Sequence, residues 1–256
     1  MALLAFGAPG TTPASLVVTF DGGAPSNVGV WNYGLPPTYP NSGGNPGWYL
    51  HTAGLDTFAP QLRTNGAGAF TGNYRADRMK RPGVDLNTFA VDFSAAGRPL
   101  ALILMSNNNT PANLNDDWGA FVLGPNIPVP GEGWKSYDFT VPYWVTGAAM
   151  PAGWTGIQFG PGAPVPNWDA LITKVDRVIF FYGNPEFFFI FQMWTVGADN
   201  IRFERRIADL DSNGQVDGTD LALLLGQWGA SGSADLNGDG TVDGADLALL
   251  LGDWGP

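Results

Sequence analysis

The stretch "DLNGDGTVDGADLALLLGDWG", Asp235 to Gly255, repeats the stretch "DLDSNGQVDGTDLALLLGQWG", Asp209 to Gly229. In each copy, acidic or amide side chains occupy alternate positions, and a glycine and a leucine-rich run follow. A repeat fixes the architecture of its segment before other elements are considered, because each copy must fold in the same way. The C-terminal segment is therefore predicted to consist of two equivalent loop–helix units.

The alternating side chains have the spacing of an EF-hand calcium loop, with ligands at positions 1, 3, 5, 7, 9 and 12 and a glycine at position 6. Four Asp side chains gathered in one loop repel one another unless a cation neutralises them, so we expect one Ca²⁺ per loop. Two acidic turns without metal are the alternative. The predicted ligands are Asp209, Asp211, Asn213, Gln215 (backbone), Asp217 and Asp220 in the first loop, and Asp235, Asn237, Asp239, Thr241 (backbone), Asp243 and Asp246 in the second.

Position 12 is Asp in both loops, whereas an EF-hand has Glu there. Because Asp is shorter, each loop must close more tightly or bind its ion less strongly. Two calcium loops with one helix each form a unit of fewer than about 50 residues, which needs its metal to fold.

Each loop leads into a short helix with an apolar stripe at i, i+3, i+4 and i+7. In the first copy the stripe is Leu221, Leu224, Leu225 and Trp228, and we expect the two stripes to pack together. Leu223 and its equivalent Leu249 lie opposite the stripes. They are candidates for contact with a partner protein, or alternatively they fill the cleft between the helices.

Residues 209–254 resemble a dockerin, similar to type I dockerins and to the variety found in secreted planctomycete proteins. The resemblance implies a calcium-folded module that binds a cohesin-like protein or another extracellular scaffold. The residues at loop positions 10 and 11, Gly218–Thr219 and Gly244–Ala245, differ from the usual hydroxyl pair, so no partner specificity carries over. Only "RRIA" separates this unit from the preceding strand, and we expect it to pack close to the preceding domain.

The composition excludes several function classes. Nine of the 23 acidic residues and none of the 12 basic residues fall in 209–256, so this segment accounts for −9 of the net charge of −11. The remaining, nearly neutral part of the chain argues against a nucleic-acid partner. The chain has no cysteine, so it forms no disulfide. The sequence contains no run of about 18 apolar residues, so it predicts no membrane span.

Residues 15–206 are predicted to form a β-sandwich, because short β-branched and aromatic runs alternate with Gly/Pro/Asn turns. The fold class is therefore mainly β, with a jelly-roll β-sandwich followed by the small helical calcium domain, 207–256. "FFFIF" is predicted to be a strand buried on both faces, and "NWDALIT" one helical turn. Residues 1–14 are interpreted as the remnant of a secretion signal or a disordered start, and the protein as extracellular.

The segments "VTFDGG" and "GADNIRFE" resemble the first and last strands of galactose-binding-like jelly rolls, a fold common among carbohydrate-binding modules. That resemblance implies a third, structural calcium with Asp21 and Asp199 as candidate ligands. The alternative is that Asp21 opens a turn and Asp199 lies in a β-bulge.

Aromatic side chains in polar, glycine-rich contexts indicate glycan binding, because sugar C–H faces stack on aromatic rings. The candidate platforms are Trp31, Tyr33, Trp118, Tyr143 and Trp144. Each could instead pack in the core, but eight tryptophans in one domain are unlikely all to do so, since Trp is rarely fully buried.

The sequence favours a secreted, non-catalytic glycan-binding module attached to a scaffold or cell surface through its calcium domain. One alternative is a structural surface or matrix subunit assembled through the calcium-loaded tails. The other is a polysaccharide-degrading enzyme, a glycoside hydrolase or lyase. The front domain has only three Glu and one His, and no pair of carboxylates with a hydrolytic context is evident.

Overall fold

A computed structural model describes residues 15–23, 31–64, 68–187 and 190–256. The chain is mainly β, and the helices are few and short. Residues 1–14, assigned above to a signal remnant or disordered start, lie outside the described residues. The strands are β1 Ser15–Val18, β2 Trp31–Asn32, β3 Leu50–Thr57, β4 Gln61–Thr64, β5 Met79–Val91, β6 Pro99–Ser106, β7 Trp118–Asn126, β8 Lys135–Asp138, β9 Trp154–Gln158, β10 Arg177–Tyr182 and β11 Gln192–Arg205, and the α-helices are α1 Trp168–Ile172, α2 Gly218–Leu225 and α3 Gly244–Gly252.

The strands form two antiparallel sheets that pack as a β-sandwich. One sheet has the order β2-β4-β10-β6-β7-β9. In the other sheet, the long strand β11 pairs with β5 on one side and with both β1 and β3 on its other side. β8 pairs with the side of β5 that faces away from β11. The two sheets are called the six-stranded and the five-stranded sheet below.

Alternation along each strand sends one set of side chains between the sheets. In β10, Val178, Phe180 and Tyr182 join the main core, whereas Ile179 and Phe181 join a smaller apolar cluster on the opposite face. In β6, alternate side chains likewise join the main core and the smaller cluster. Successive strand residues point to opposite faces, so strands β6 and β10 build two apolar surfaces. The face of the six-stranded sheet that points away from the core is called its outer face.

The C-terminal unit holds two loop–helix copies, as the repeat predicts. Each helix has a capping box: Asp217 and Asp243 accept a hydrogen bond from the first turn, and the Asp three residues later accepts the N-cap amide. Leu224 and Leu250 are fully buried between the helices. A two-residue bridge pairs Val216 with Gly255, which ties the first loop to the chain beyond the second helix.

Two sequence expectations fail here. The buried stripe is narrower than predicted, since Leu225 and Trp228 are about half exposed, and so are Leu251 and Trp254. Helices of eight and nine residues bury only one central row against each other. In "FFFIF", Phe187, Ile190 and Phe191 are exposed and lie outside the strands of the described chain, while 188–189 are outside the described residues. The helical turn at 168–172 is confirmed.

The C-terminal unit packs directly on the sandwich, as the short connection predicts. Arg206 follows β11 and is almost fully buried. Its guanidinium donates to the carbonyls of Gly214 at 2.9 Å, Asp253 at 3.1 Å and Gly255 at 2.6 Å. Arg78, just before β5, donates to the carbonyls of Ile207 and Leu210. Two arginines on the sandwich side thus hold both ends of the C-terminal unit.

We predict that Arg206→Met lowers the free energy of unfolding by on the order of 3 kcal/mol, because one buried and two partly buried hydrogen bonds to carbonyls lose their charged donor. At this chain length the midpoint of thermal unfolding should fall by roughly 5 °C or more. The matched control is Arg81→Met, since Arg81 forms only a half-exposed ion pair with Glu204, and such pairs contribute less than about 1 kcal/mol. Equal midpoints for the two variants, measured by circular dichroism, would contradict the role given to Arg206.

Candidate functional site

The first repeat loop brings three predicted metal ligands together. One carboxylate oxygen each of Asp209, Asp211 and Asp220 lie within 4.8 Å of one another. Asp209 and Asp220 are buried, whereas Asp211 is exposed. Gly214 at position 6 has a φ of +91°, a conformation that residues with a Cβ rarely adopt. The loop therefore turns where the calcium-loop spacing requires it to turn.

The other predicted positions of this loop shape the turn through hydrogen bonds. Asn213 accepts a bond from the amide of Gln215 at 2.7 Å, and Asp217 caps helix α2 through the amide of Thr219 at 2.7 Å. Asp220 accepts the amides of Leu210, Asp211 and Asp217. Backbone donors thus hold the carboxylates in place before any ion enters.

The second loop repeats this geometry in the same order. Asp235 accepts the amides of Gly238 and Gly240, and Asp246 accepts those of Leu236, Asn237 and Asp243. Asn237 and Asp239 bond to each other, the amide of Thr241 donates to Asp239, and Asp243 caps α3. Among the described residues, the carboxylates of this loop do not form a second close group of three, and its position 3 is Asn rather than Asp.

The residues of the first loop fit a hard cation such as Ca²⁺. All of the donors are oxygen atoms, which Ca²⁺ and Mg²⁺ prefer over softer metals. Burial, and after it the neighbouring carboxylates of Asp220 and Asp209, raise the pKa of Asp211 against the lowering effect of the Asn213 amide. This electrostatic cost is what a bound cation would remove.

The two predicted sandwich ligands, Asp21 and Asp199, lie near each other beside Asp85. Asp199 is buried, and its two oxygens accept the amides of Asn45 and Asn200 at 2.8 Å each. Asp21 is exposed, and Asp85 is held by Asn45, Asn200 and Arg202. Within the described chain these carboxylates do not form a close group of three metal-ligating atoms. β11 does have a register shift between Asp199 and Arg202, where the alternative interpretation placed a bulge.

Four of the five predicted sugar platforms lie inside the protein. Trp31 packs edge-on against Phe70, with ring centroids 5.3 Å apart, and Tyr33 hydrogen-bonds Tyr182. Trp118 and Tyr143 also belong to the main core. The prediction that Trp31, Tyr33, Trp118 and Tyr143 offer stacking faces is therefore corrected, because a buried ring has no face open to a sugar.

Tyr143 and the half-buried Trp144 instead contact the first repeat loop. The Tyr143 hydroxyl donates to Oδ2 of Asp209, the position-1 residue. Burial, and then Asp209, raise the pKa of Tyr143, so it remains a neutral donor. The Trp144 ring covers Gly214 so closely that a Cβ there would come within 2.4 Å of it. The sandwich thus touches both the first ligand and the turn of that loop.

The outer face of the six-stranded sheet carries a groove with a volume of about 410 Å³, called the outer groove below. Its floor is apolar, and two phenylalanines, Phe58 and Phe159, stand at its walls. Five polar side chains line it as well. The floor consists of Ile103, Met105, Ile157, Ile179 and Phe181, and the polar side chains are Gln61, Arg63, Asp117, Gln158 and Arg177.

Strand pairing brings the lining of the outer groove together. Arg63 on β4 pairs with Ile179 on β10, Ile179 pairs with Ile103 on β6, and Met105 pairs with Gly119 on β7. Asp117 lies just before β7 and is almost fully buried. An apolar floor edged by amides, guanidiniums and a carboxylate can hold a ligand that is apolar on its ring faces and polar around its edge.

The sequence reasoning missed this groove. Its one signal was the absence of alternation in "PLALILMS" and "RVIFFYG", since a strand with one face in water alternates apolar and polar residues. Such runs indicate a strand covered on both faces, and the apolar side chains on the second face of β6 and β10 are indeed buried at the bottom of the groove.

The helices of the C-terminal unit present an apolar surface. Leu223 and Leu249, the predicted partner contacts, are 40% and 43% exposed. Leu225, Trp228, Leu251 and Trp254, which belong to the stripes that were expected to be buried, have exposed fractions near one half.

No family model matches the chain, and no curated protein matches it. Among solved structures, the chain is similar to an exo-beta-agarase, with 11% sequence identity and a TM-score of 0.39. The similarity covers 76% of this chain and 25% of the agarase, so this chain spans a quarter of that protein's length. It is also similar to a family 11 carbohydrate-binding module from Clostridium thermocellum, whose structure was determined in complex with a beta-1,3-1,4-mixed-linked tetrasaccharide. The sequence identity is 10% and the TM-score 0.36, and the similarity covers 76% of this chain and 98% of the module. Within the described residues, no helix is long and apolar enough to cross a membrane.

Burial raises the pKa of Asp199 to about 6, with Asp85 and Asp21 adding to the shift and the two amides opposing it. The folded state therefore binds this proton more tightly than the unfolded state. We predict that the contribution of Asp199 to the free energy of unfolding is fully present below about pH 4. It should fall by up to about 3 kcal/mol as the pH rises to about 6 and stay constant above.

A carboxyl NMR titration of Asp199 in metal-free buffer measures this pKa directly. A value near 4 without metal would contradict the predicted burial cost. A value that falls when CaCl₂ is added would support the third calcium site at Asp21 and Asp199, whereas an unchanged value would count against that site.

Proposed function

We propose that this protein is a glycan-binding β-sandwich whose ligand occupies the outer groove, and that its C-terminal unit folds around Ca²⁺. The observation that supports the glycan proposal is the combination, in one groove, of an apolar floor with five polar side chains from four parts of the chain.

A saccharide matches this combination chemically. Its ring presents C–H groups on two faces and hydroxyls around its edge. The half-exposed Phe159 and the wall residue Phe58 offer ring faces to the C–H groups. Gln61 and Arg63 offer hydrogen bonds, and Asp117 accepts them.

Binding is favoured over hydrolysis. Glycoside hydrolysis ordinarily needs two carboxyl groups, one as the acid and one as the base or nucleophile. The described lining of the outer groove has one carboxylate, Asp117. A single acceptor can orient a sugar hydroxyl, but it cannot supply both roles.

The calcium proposal rests on the first loop, where Asp209, Asp211 and Asp220 gather oxygen ligands around a glycine turn. Bound Ca²⁺ would neutralise the gathered carboxylates and supply folding free energy. Asn213, the carbonyl of Gln215 and Asp217 complete the proposed set. The second loop would use Asp235, Asn237, Asp239, the carbonyl of Thr241, Asp243 and Asp246 in the same order.

A second candidate function is protein docking through the exposed apolar side chains of the C-terminal unit, favoured by the exposure of Leu223 and Leu249 on the helices and of Trp228 and Trp254 beyond their ends. Its partner would be a cohesin-like protein or another extracellular scaffold. This function is compatible with the first, and secretion would be a condition of both.

We predict that Phe159→Ala weakens binding to the best glycan of a polysaccharide panel by about tenfold, because the ligand loses one aromatic contact. Binding is measured by affinity gel electrophoresis of the full chain with Ca²⁺ present. The matched control is Phe93→Ala, which removes a ring that is 70% exposed and lies outside the groove. Equal losses in the two variants, or no glycan bound at all, would sink the glycan proposal and favour docking or a structural role.

We predict that the two calcium loops affect the sandwich unequally. Asp211→Ala should remove most of the stabilisation that Ca²⁺ gives to the sandwich, because Tyr143 and Trp144 rest on the first loop. At an ion concentration about 100 times the Kd, that stabilisation is about 2.7 kcal/mol. Asp239→Ala, in the second loop, is the matched control. It should leave a larger part of the stabilisation that Ca²⁺ gives to the sandwich.

The measurement is thermal unfolding followed by tryptophan fluorescence, with CaCl₂ or with a chelator. Eight of the ten tryptophans lie before residue 207, so this signal reports mainly on the sandwich. If the two variants lose the same amount of calcium-dependent stability, the first loop does not couple Ca²⁺ binding to the stability of the sandwich more strongly than the second loop does.

A further inference from the structure

Two arginines share one face of the six-stranded sheet inside the outer groove. Arg63 pairs with Ile179, and Arg177 lies two residues before Ile179 on the same strand. Residues two apart on a strand point to the same face, so the two arginines are diagonal neighbours. Diagonal Cβ atoms lie at most about 7–8 Å apart, within reach of two long side chains converging on one ligand.

Neither arginine has a counter-ion in the described structure. Arg63 and Arg177 take part in no ion pair or side-chain hydrogen bond of the described chain, and Nε of Arg177 is buried without an acceptor. Arg75, by contrast, bonds Asp169, and Arg202 bonds Asp85 and Asp138, whereas Nη1 of Arg205 on the other sheet is buried without an acceptor like Nε of Arg177. A buried guanidinium nitrogen without an acceptor is costly, so Nε of Arg177 needs an explanation, and the half-buried Arg63 lies beside it without a counter-ion.

The two positive charges also oppose each other. Burial, and after it the charge of Arg177, lower the pKa of Arg63. Asp117 compensates Arg177 only in part, because it forms no ion pair within 4.0 Å and its Oδ1 is likewise buried without a donor. One guanidinium nitrogen, Nε of Arg177, and one carboxylate oxygen, Oδ1 of Asp117, are therefore buried without partners in the same groove as the half-buried Arg63.

We infer that the outer groove selects an anionic polysaccharide, with the anionic group of one sugar held between Arg63 and Arg177 and a hydroxyl of that sugar donated to Asp117. This inference rests on the proposed glycan-binding function and names its ligand class. A uronate carboxylate and a sulfate ester share the required chemistry, since the guanidinium fork donates in pairs to planar or tetrahedral oxyanions.

The negative net charge of the protein does not prevent an anionic polysaccharide from binding in the outer groove. Most of the net charge of −11 lies in the C-terminal unit, which packs on the five-stranded side. At physiological ionic strength, charges are screened beyond about 8 Å. A ligand inside the groove therefore interacts mainly with Arg63, Arg177 and Asp117.

The test is affinity gel electrophoresis of the full chain, with Ca²⁺ present, in gels containing polygalacturonate, a sulfated galactan or a neutral mixed-linkage β-glucan. We expect stronger retardation by one or both anionic polymers than by the neutral one. Retardation by polygalacturonate alone identifies the carboxylate as the recognised group, and retardation by the sulfated galactan alone identifies the sulfate.

Arg63→Gln and Arg177→Gln should each weaken anionic binding by about tenfold, as expected for the loss of a charge-assisted partner. Arg81→Gln is the matched control, because Arg81 lies on the five-stranded sheet and outside the groove. Arg177→Lys keeps the charge without the fork and should recover only part of the affinity. Thermal unfolding of each variant establishes that it is folded.

Failure of this inference differs from failure of the glycan proposal. A neutral glucan bound as tightly as the anionic polymers, with Phe159→Ala harmful and both Arg→Gln variants harmless, overturns the anionic preference and retains glycan binding. No retardation in any gel overturns both. Anionic binding that Arg81→Gln weakens as much as Arg63→Gln shows non-specific charge attraction and also overturns the inference.

Discussion

The alternation of side chains in strands β6 and β10 is the constraint on which the rest of the structure depends. One set of alternate residues closes the core against the five-stranded sheet, and the other forms the floor of the outer groove. A slip of one residue in the pairing of β10 would exchange its two sets and would turn Arg177 toward the core. The same pairing therefore fixes both the packing of the sandwich and the chemistry of its candidate site.

The two loop–helix copies of the C-terminal unit and the gathering of Asp209, Asp211 and Asp220 could be predicted from the sequence, whereas the groove could not. The ligands of a calcium loop are neighbours in the chain, so their spacing carries their geometry. The groove instead assembles Gln61, Asp117 and Arg177 from strands that are distant in sequence. Without the sheet order, nothing in the sequence joins these residues.

The tryptophans show why composition was a poor guide to the proposed glycan site. The eight before residue 207 were too many to bury, by the usual exposure of this residue. Five are buried and three are half-buried, since the two sheets and the loops at their ends provide enough enclosed volume. Trp154 and Trp168 pack against each other with ring centroids 5.1 Å apart. Phenylalanines, which the sequence reasoning assigned no function, line the groove instead.

The two loops of the repeat are alike in sequence but unlike in their surroundings. The first is covered by Tyr143 and Trp144 and held by Arg206, whereas no side chain of the described sandwich hydrogen-bonds a predicted ligand of the second. An internal duplication normally makes its copies equivalent, and docking of one copy on the sandwich removes that equivalence. The exposed leucines and tryptophans of both helices remain accessible, and the outer groove lies on the other sheet. A glycan in the groove and a protein on the helices would therefore not compete for the same surface.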